Sequence, residues 1–321
     1  MFKIGIVGAG GMGTVHISNY GHIENAVVAA ICDRTPEAEG KAKELGIPLY
    51  QDLGEMLLGE ELDVIDVCTP TFLHKEHVIA GLMAGKHVIC EKPLTLKYED
   101  AKAMIALAKE KQVLLCVGQV LQYSKEALVL HQLVKSGCYG KPLDAVFLRL
   151  AACPGWVKGG WLFDKEKSGL LPYDLHIHDL DFMISLFGKP KTVDYTSCGN
   201  QDRAYKEHYR FTYGYEGFHV SAEAAWYSAD IPFTATWRVY FEQAVVINDG
   251  KNVTAYQTGR EPRVFDTEET LKIPTGINLE PTGMFYRELS DFLGMMERGE
   301  TGCDREEDIL EVIRILEGIE S

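Results

Sequence analysis

Long hydrophobic runs are missing from this sequence. No apolar stretch approaches the roughly 20 residues that a helix needs to cross a bilayer. The first apolar stretch starts at Phe2, with no signal-peptide pattern before it. We therefore expect a cytoplasmic protein that has no membrane partner.

Positive charge is also scarce. The chain has 32 lysines and arginines against 47 aspartates and glutamates, which gives a net charge of −15 at pH 7. A nucleic-acid surface needs a basic stripe that displaces counterions from phosphates. An anionic membrane surface likewise attracts basic segments. The charge balance therefore argues against both kinds of partner.

Paired cysteine motifs are the third absence. The eight cysteines are scattered, and none forms a Cys-x-x-Cys pair. Cys32, Cys68, Cys90 and Cys116 fall inside or at the ends of apolar strands. This placement is typical of reduced, buried small side chains and not of disulfides or metal ligands.

The length of 321 residues exceeds the usual size of one hydrophobic core, so two domains are expected. Up to about Val120, short apolar strands alternate with helices, as in a parallel sheet covered on both faces. The predicted elements include a strand over 2–7 and a helix over 98–111. We therefore expect a doubly wound domain over 1–120 and a second domain over 121–321.

Beyond residue 190 the pattern changes to alternation with period two. In 233–241, Phe, Ala, Trp, Val and Phe alternate with polar or exposed-type residues, and 218–226 repeats the pattern. A turn signal at 213–217 separates two such runs. The second domain is therefore predicted to be α/β, with a large, mostly antiparallel open sheet and two closing helices near 283–298 and 304–317.

A glycine loop follows the first strand. Gly8, Gly10 and Gly13 form a Gly-x-Gly-x-x-Gly motif between a strand and a helix predicted over 14–22. Gly8 permits the tight turn, Gly10 lets the backbone approach a pyrophosphate, and Gly13 lets helix and strand pack closely. The phosphates would then lie at the positive end of the helix.

An acidic residue ends the second strand. Asp33 lies twenty residues after Gly13, where a carboxylate can accept hydrogen bonds from both ribose hydroxyls of the adenosine half. This favours NAD, because a 2′-phosphate would be repelled. Arg34 keeps NADP as the alternative, since a guanidinium there can stack on adenine or pair with a 2′-phosphate.

Two further motifs carry candidate chemistry. Lys92 of Glu91-Lys92-Pro93 follows the fifth strand, at the edge where ligands of open α/β folds bind, and a desolvated lysine there could exchange a proton near neutrality. A solvated lysine at a strand end is the alternative. In the second motif, helical spacing places Asp174, His178 and Asp181 on one face, where a carboxylate could orient the imidazole as a general base. A metal site or a helix cap would be the other uses of those residues.

With the glycine loop, Asp33, Thr69-Pro70-Thr71, Glu91-Lys92-Pro93 and Asp174-x-x-x-His178 in this order, the chain resembles the Gfo/Idh/MocA family of NAD(P)-dependent oxidoreductases, in particular its inositol-dehydrogenase-like members. The resemblance implies Lys92, Asp174 and His178 as the catalytic group, a dinucleotide-binding Rossmann domain over 1–120 and a domain for substrate binding and oligomerisation over 121–321. It also implies a homodimer or homotetramer formed through the outer face of the C-terminal sheet. We expect no metal. The resemblance also implies an NAD-binding set, which we combine with the motif residues: Gly8, Gly10, Gly11, Met12, Gly13, Asp33, Arg34, Thr69, Pro70, His74, Glu91, Lys92 and Gln119.

Departures from the family pattern concern the substrate. Gln122-Tyr123 stands where many members have Arg-Phe, and His176 stands where many have Gly. Trp156 and Trp161 could stack on a sugar ring or pack between domains. The hypothesis is oxidation of a secondary alcohol on a sugar, cyclitol or derivative, with Gln122, Trp161 and His176 near the substrate. Reduction of a dihydrodiol or imine, and NAD sensing without turnover, are the alternatives.

Overall fold

The computed structural model describes residues 1–155, 158–277 and 279–319. Its strands are β1 Phe2–Val7, β2 Ala26–Cys32, β3 Leu49–Tyr50, β4 Val64–Val67, β5 His87–Glu91, β6 Leu114–Gly118, β7 Pro142–Ala152, β8 Thr192–Cys198, β9 His208–Gly214, β10 His219–Tyr227, β11 Thr234–Phe241, β12 Ala244–Asn248, β13 Val253–Tyr256, β14 Arg263–Phe265 and β15 Gly302–Cys303. Its α-helices are α1 Gly11–Tyr20, α2 Pro36–Leu45, α3 Leu53–Gly59, α4 His74–Met83, α5 Tyr98–Lys111, α6 Lys125–Ser136, α7 Lys165–Ser168, α8 Ile177–Phe187, α9 Met284–Glu297 and α10 Glu306–Glu317.

The chain divides into two compact units. The first contains residues 1–120 and 270–313, and the second contains 121–269 and 314–319. The segment that carries α9 and β15 therefore lies with the N-terminal part of the chain. The assignment of functional roles to 1–120 and 121–321 stays a prediction.

The first unit is built on a seven-stranded sheet with the order β15-β6-β5-β4-β1-β2-β3. Its strand pairs are parallel. Buried aliphatic side chains such as Ile65, Val88 and Leu115 form its core. The predicted doubly wound sheet is confirmed, and the apolar character of the strands follows from burial on both faces.

Helix boundaries in this unit follow local signals. The helix predicted over 98–111 is found at those residues, with Glu99 and Asp100 in the first turn and Lys109 and Lys111 in the last, as the helix dipole favours. Helix α1 begins at Gly11, three residues before the predicted start. Glycine has a low helix propensity, so the periodicity of the sequence does not reveal a first turn made of loop residues.

The second unit contains an eight-stranded sheet with the order β14-β13-β12-β11-β7-β10-β9-β8. Its pairs are antiparallel except for β7 with β10, which are parallel. In β11, Trp237, Val239 and Phe241 are buried, whereas Arg238 and Tyr240 are exposed. The predicted open antiparallel sheet with one buried face is therefore confirmed.

Helices cover the buried face of this sheet. The chain enters α8 through a π-helical turn at Pro172–His176 and leaves it at Gly188, the predicted stop. Within the described ranges, no helix combines the length and the apolar character needed to cross a membrane.

Candidate active site

The glycine loop has the geometry that its sequence predicts. Gly8 has φ +89°, a conformation that favours glycine, and a Cβ at Gly13 would overlap the Gly8 carbonyl oxygen. A Cβ at Gly10 would have no heavy atom within 4 Å. Gly8 and Gly13 are therefore required by the fold, whereas Gly10 keeps open the space that a pyrophosphate would occupy.

No side chain caps the start of α1 in the described structure. Gly10 occupies the N-cap position, and its carbonyl oxygen accepts the Thr14 N–H at 2.9 Å. The N–H groups of the first turn, from Gly11 to Gly13, are thus available to an anion at the positive end of the helix dipole.

Asp33 ties the glycine loop to the end of β2. Its Oδ2 accepts the Ala9 N–H at 2.7 Å, and its Oδ1 accepts the Thr35 N–H at 2.7 Å. A carboxylate has about four acceptor sites, so two remain for ribose hydroxyls. Arg34 lies alongside, and its Nε donates to the Gln51 carbonyl oxygen at 3.0 Å.

The other predicted cofactor residues follow adjacent strands, so they lie at one edge of the sheet. Thr69 and Pro70 follow β4, Lys92 follows β5, and Gln119 follows β6. The buried His74 ring joins two of these segments, with Nε2 2.7 Å from the Thr69 carbonyl oxygen and Nδ1 2.8 Å from that of Pro93. Burial lowers the pKa of His74.

Gln119 supplies a test of whether this edge fits a cofactor. Its side chain is buried, yet its Oε1 has no hydrogen-bond partner in the described part of the chain. An unsatisfied buried amide oxygen is costly unless a ligand or water completes it. The loop, Asp33 and Gln119 together therefore fit a bound dinucleotide.

Lys92 is half-buried at the end of β5, and its peptide bond to Pro93 is cis. Glu91 is turned inward. Its Oε2 accepts the Lys92 N–H at 3.0 Å, and its Oε1 lies 3.2 Å from the Nε2 of His16. A Cβ at Gly118 would come within 3.3 Å of the same carboxylate, so β6 approaches it closely.

In the second unit, the carboxylates near α8 divide into two kinds. Asp179 is buried and receives two hydrogen bonds from the Arg149 guanidinium, at 2.9 and 2.8 Å. Asp181 is buried as well. Asp174 and His178, one helical turn apart, are half-buried. Asp174 and His178 thus keep some exposed surface, whereas Asp179 and Asp181 are buried.

Gln122 belongs to a hydrogen-bond network around α8. Its Nε2 donates to Asp181 Oδ2 at 2.5 Å, and its Oε1 accepts from Ser185 at 3.0 Å and lies 2.8 Å from His131 Nε2. Both the Nε2 and the Oε1 of Gln122 therefore make hydrogen bonds within this network. Asp181, which helical spacing placed with Asp174 and His178, is thereby oriented toward Gln122.

His176 is packed against the sheet. The imidazole has no exposed surface, stacks on Phe211 with ring centroids 3.9 Å apart, and places Nε2 2.6 Å from the Tyr213 hydroxyl. Burial, with a contribution from the Arg149 charge, lowers its pKa to about 3. We therefore give His176 a packing role and do not carry it into the substrate site. Trp161 is half-buried, and Trp156 lies outside the described residues.

Two family models match most of the chain. Residues 2–119 match the oxidoreductase family with an NAD-binding Rossmann fold, and residues 128–247 match the GFO/IDH/MocA C-terminal domain. The chain belongs to the Gfo/Idh/MocA family. The N-terminal part of this family member is an NAD-binding Rossmann domain.

Individual relatives agree with the family assignment. The chain is 34% identical to a myo-inositol 2-dehydrogenase of Thermotoga maritima over 190 residues, which is 58% of this chain and 55% of that protein. It is 33% identical to a 2,7-anhydro-N-acetylneuraminate hydratase of Escherichia coli over 199 residues, 60% of this chain and 52% of that one. The chain thus spans about half the length of these relatives.

Among solved structures, a levoglucosan dehydrogenase in complex with NADH and levoglucosan has the same fold. Its TM-score is 0.83 at 21% identity, with 98% of this chain and 95% of that chain covered. This likeness extends to both sheets of the Gfo/Idh/MocA fold.

Sequence reasoning missed a buried polar cluster below Lys92 in this family member. His16 Nδ1 lies 2.8 Å from Asp66 Oδ2, which also accepts the Tyr20 hydroxyl at 2.9 Å. Burial lowers the pKa of His16, but the charge of Asp66 and the hydrogen bond to it outweigh burial and raise the pKa well above the usual value. The imidazole is therefore a cation between two carboxylates, those of Asp66 and Glu91.

Glu288 of α9 lies close enough to this cluster for the Glu91 charge to act on it. Both of its carboxyl oxygens are buried and unpartnered within the described residues, and burial, with the Glu91 charge, raises the pKa of the acid well above its usual range. The ligand-type atoms of His16, Asp66 and Cys68 lie within 4.8 Å of one another. Because carboxylates already engage both ring nitrogens of His16, hydrogen bonding accounts for this grouping.

Proposed function

We propose that the protein is an NAD-dependent oxidoreductase that transfers a hydride between the nicotinamide ring and a secondary alcohol of a sugar, cyclitol or derivative. The observation that carries the proposal is a difference in burial among the ionisable side chains around α8. Asp179 and Asp181 are buried and hydrogen-bonded, whereas Asp174 and His178 are half-buried one turn apart. The names of the relatives support the substrate class.

In the proposed reaction, the cofactor accepts the hydride from the carbinol carbon. His178, oriented by Asp174, takes the hydroxyl proton on an imidazole nitrogen. Lys92 hydrogen-bonds the same oxygen through its ammonium and shares in holding the developing negative charge. Lys92 and His178 act through their position and their electrostatic effect on the reacting oxygen. Small displacements of either side chain would therefore lower kcat more than they lower the affinity for the substrate.

The cofactor preference proposed here is for NAD over NADP, because a 2′-phosphate would lie against the Asp33 carboxylate. Trp161 remains the proposed stacking surface for a sugar ring. We assign substrate binding and assembly to 121–321 and place the protein in the cytoplasm, as the sequence predicts.

For assembly, we propose a homodimer or homotetramer through one end of the open sheet's outer face. Strand pairing places Tyr240, Val245 and Tyr256 in one row of this face, and Tyr240 and Tyr256 are 46% and 47% exposed. An exposed apolar row on a sheet is typical of a protein–protein contact.

The decisive experiment measures NADH formation with inositols, hexoses, amino sugars and dihydrodiols, with NAD and NADP run side by side. Products are analysed by mass spectrometry as well. One of the relatives is a hydratase, and a hydration causes no net oxidation, so NADH absorbance alone would miss such a reaction. Lys92→Met and His178→Gln should each lower kcat at least ~100-fold and leave the Kd of NADH within about threefold.

Lys97→Met and His219→Gln, at exposed positions, are the matched controls and should retain turnover. Full activity in Lys92→Met or His178→Gln would refute the proposed catalytic group. Tight NAD binding with no product from any substrate would instead favour a sensor of the dinucleotide.

A further inference from the structure

A thiol, an imidazole and a carboxylate lie next to one another on the outer face of the second unit's sheet. Cys198 ends the edge strand β8 and pairs across to His208, the first residue of β9. The Cys198 Sγ lies 3.7 Å from His208 Nδ1. His208 Nε2 in turn lies 2.8 Å from Oε1 of Glu223 on β10.

The carboxylate fixes which ring nitrogen carries the proton. Burial raises the pKa of Glu223, but the hydrogen bond from His208 and the charge of Arg210 outweigh it, so the pKa is lowered. An ionised carboxylate only accepts hydrogen bonds, so Nε2 of His208 donates to it. In the neutral form of the ring, Nδ1 then has its lone pair available, and it is the nitrogen that lies next to the Cys198 thiol.

The surroundings of the thiol support this arrangement. Arg210 Nε lies 3.4 Å from the second oxygen of Glu223, and the Tyr227 hydroxyl donates to Oε1 at 3.4 Å. The Tyr227 ring lies 6.1 Å from that of His208. The imidazole is thus held on β9 and β10, while Cys198 is exposed at the end of the edge strand.

We propose that Cys198 is a reactive thiol, activated by His208 and Glu223, that exchanges with small disulfides. His208 Nδ1 takes the thiol proton, and the Cys198 thiolate attacks one sulfur of the disulfide. The sulfur–sulfur bond breaks, and the departing thiolate leaves as a thiol with the proton from His208. The product is a mixed disulfide at Cys198, so no other oxidant is needed.

This site is separate from the residues proposed for hydride transfer and from the apolar row proposed for assembly. On β9 and β10, Cys198 has His208 and Ala225 in its cross-strand row, whereas Tyr240 and Tyr256 lie on β11 and β13, toward the other edge of the sheet. The proposal therefore does not depend on the enzymatic activity, and it leaves the thiol outside the proposed interface.

Other cysteines provide the comparison. Burial raises the pKa of Cys90 and Cys116 well above that of an ordinary thiol. Cys138 is exposed like Cys198, but no histidine is hydrogen-bonded to its sulfur in the described structure. Cys138 is therefore an internal control for an exposed, unassisted thiol.

The test uses 2,2′-dithiodipyridine, an uncharged disulfide, on the whole protein from pH 5 to 9. The rates at Cys198 and Cys138 are separated by peptide mass spectrometry. At pH 6 Cys198 should react at least ~10-fold faster than Cys138. From pH 8 to pH 6.5 its rate should also fall less steeply than that of Cys138, because an unassisted thiol slows about tenfold per pH unit below its pKa of about 8.5.

Three variants test which residues cause the fast reaction at Cys198. Cys198→Ser should remove the fast phase, Cys138→Ser should leave it, and His208→Gln should slow Cys198 to the rate of Cys138. Equal rates and pH profiles for Cys198 and Cys138 in the wild-type protein would overturn the proposal. So would a His208→Gln variant with an unchanged circular dichroism spectrum and an unchanged Cys198 rate.

Discussion

His16 and Asp66 form an ion pair in the interior of the Rossmann unit, with Nδ1 and Oδ2 2.8 Å apart and neither side chain exposed. Glu91 engages the other ring nitrogen at 3.2 Å. Through Glu91, the pair contacts the residue that precedes Lys92 at the end of β5. Removing one partner of such a pair leaves an uncompensated buried charge.

We expect His16→Gln to lower the free energy of unfolding by about 3–5 kcal/mol near pH 6. The folded pKa of His16 is raised above its usual 6.5, so the imidazolium contributes its full stabilisation below pH 6.5. That contribution is lost as the pH rises through the folded pKa. Urea unfolding of the wild type and of His16→Gln from pH 6 to 9.5 should show that the difference between their free energies of unfolding decreases as the pH rises. His22→Gln, at an exposed position, is the control, and a difference that stays constant would contradict the charged state.

His176 should have the opposite pH signature. Its folded pKa is lowered from 6.5 to about 3, so below pH 6.5 the unfolded chain binds a proton that the folded chain does not. Wild-type stability should fall by up to about 1.4 kcal/mol per pH unit below 6.5 from this residue alone. Denaturation of His176→Gln between pH 4.5 and 6.5 should show a smaller slope. An identical slope in variant and wild type would mean that His176 is charged in the fold.

Alanine substitutions at the loop glycines should distinguish the residue needed for cofactor binding from the residue needed for folding. Gly10→Ala has space for its Cβ, so it should keep the wild-type Tm and lose NADH affinity at least ~10-fold by fluorescence titration. Gly13→Ala, which would overlap the Gly8 carbonyl oxygen, should lose both. Gly40→Ala, in α2 with nothing near its Cβ, should gain about 0.5–1 kcal/mol. Wild-type affinity in Gly10→Ala would place the pyrophosphate elsewhere.

Asp33→Asn should shift the cofactor preference. The amide keeps one acceptor for a backbone N–H but loses the charge that repels a 2′-phosphate. We expect the ratio of the NADPH and NADH dissociation constants to fall at least ~10-fold, as calorimetry would show. Asp52→Asn at the N-cap of α3 is the control, because asparagine caps as well as aspartate does. A ratio unchanged in Asp33→Asn would assign the preference to Arg34.

Local patterns carried most of the fold prediction. The glycine loop, the helix over 98–111 and the turn between β9 and β10 are each encoded within about fifteen consecutive residues, and each is found. Periodicity in β11 likewise predicted which face is buried. Such features depend on neighbours along the chain, so one sequence suffices.

Long-range contacts explain what the sequence did not reveal. His16 is separated from Asp66 by 50 residues and from Glu91 by 75, and no spacing rule connects them. Acidic residues in a chain of net charge −15 suggest a solvated surface, so Glu288 gave no sign of its burial. The departure from the family pattern at His176 predicts a place near the substrate, whereas the stacking of its ring on Phe211 is a long-range contact that the pattern does not reveal.

Strand β15, two residues long, pairs with β6 at the edge of the Rossmann sheet, where Gly302 lies beside Leu114. During synthesis, the outer edge of β6 therefore stays unpaired until residues 302–303 have been made. At 5–20 residues per second the delay is on the order of 10–40 s. Throughout that interval the nascent domain has an unpaired apolar strand, so a fragment that stops at residue 120 is expected to aggregate or to recruit a chaperone.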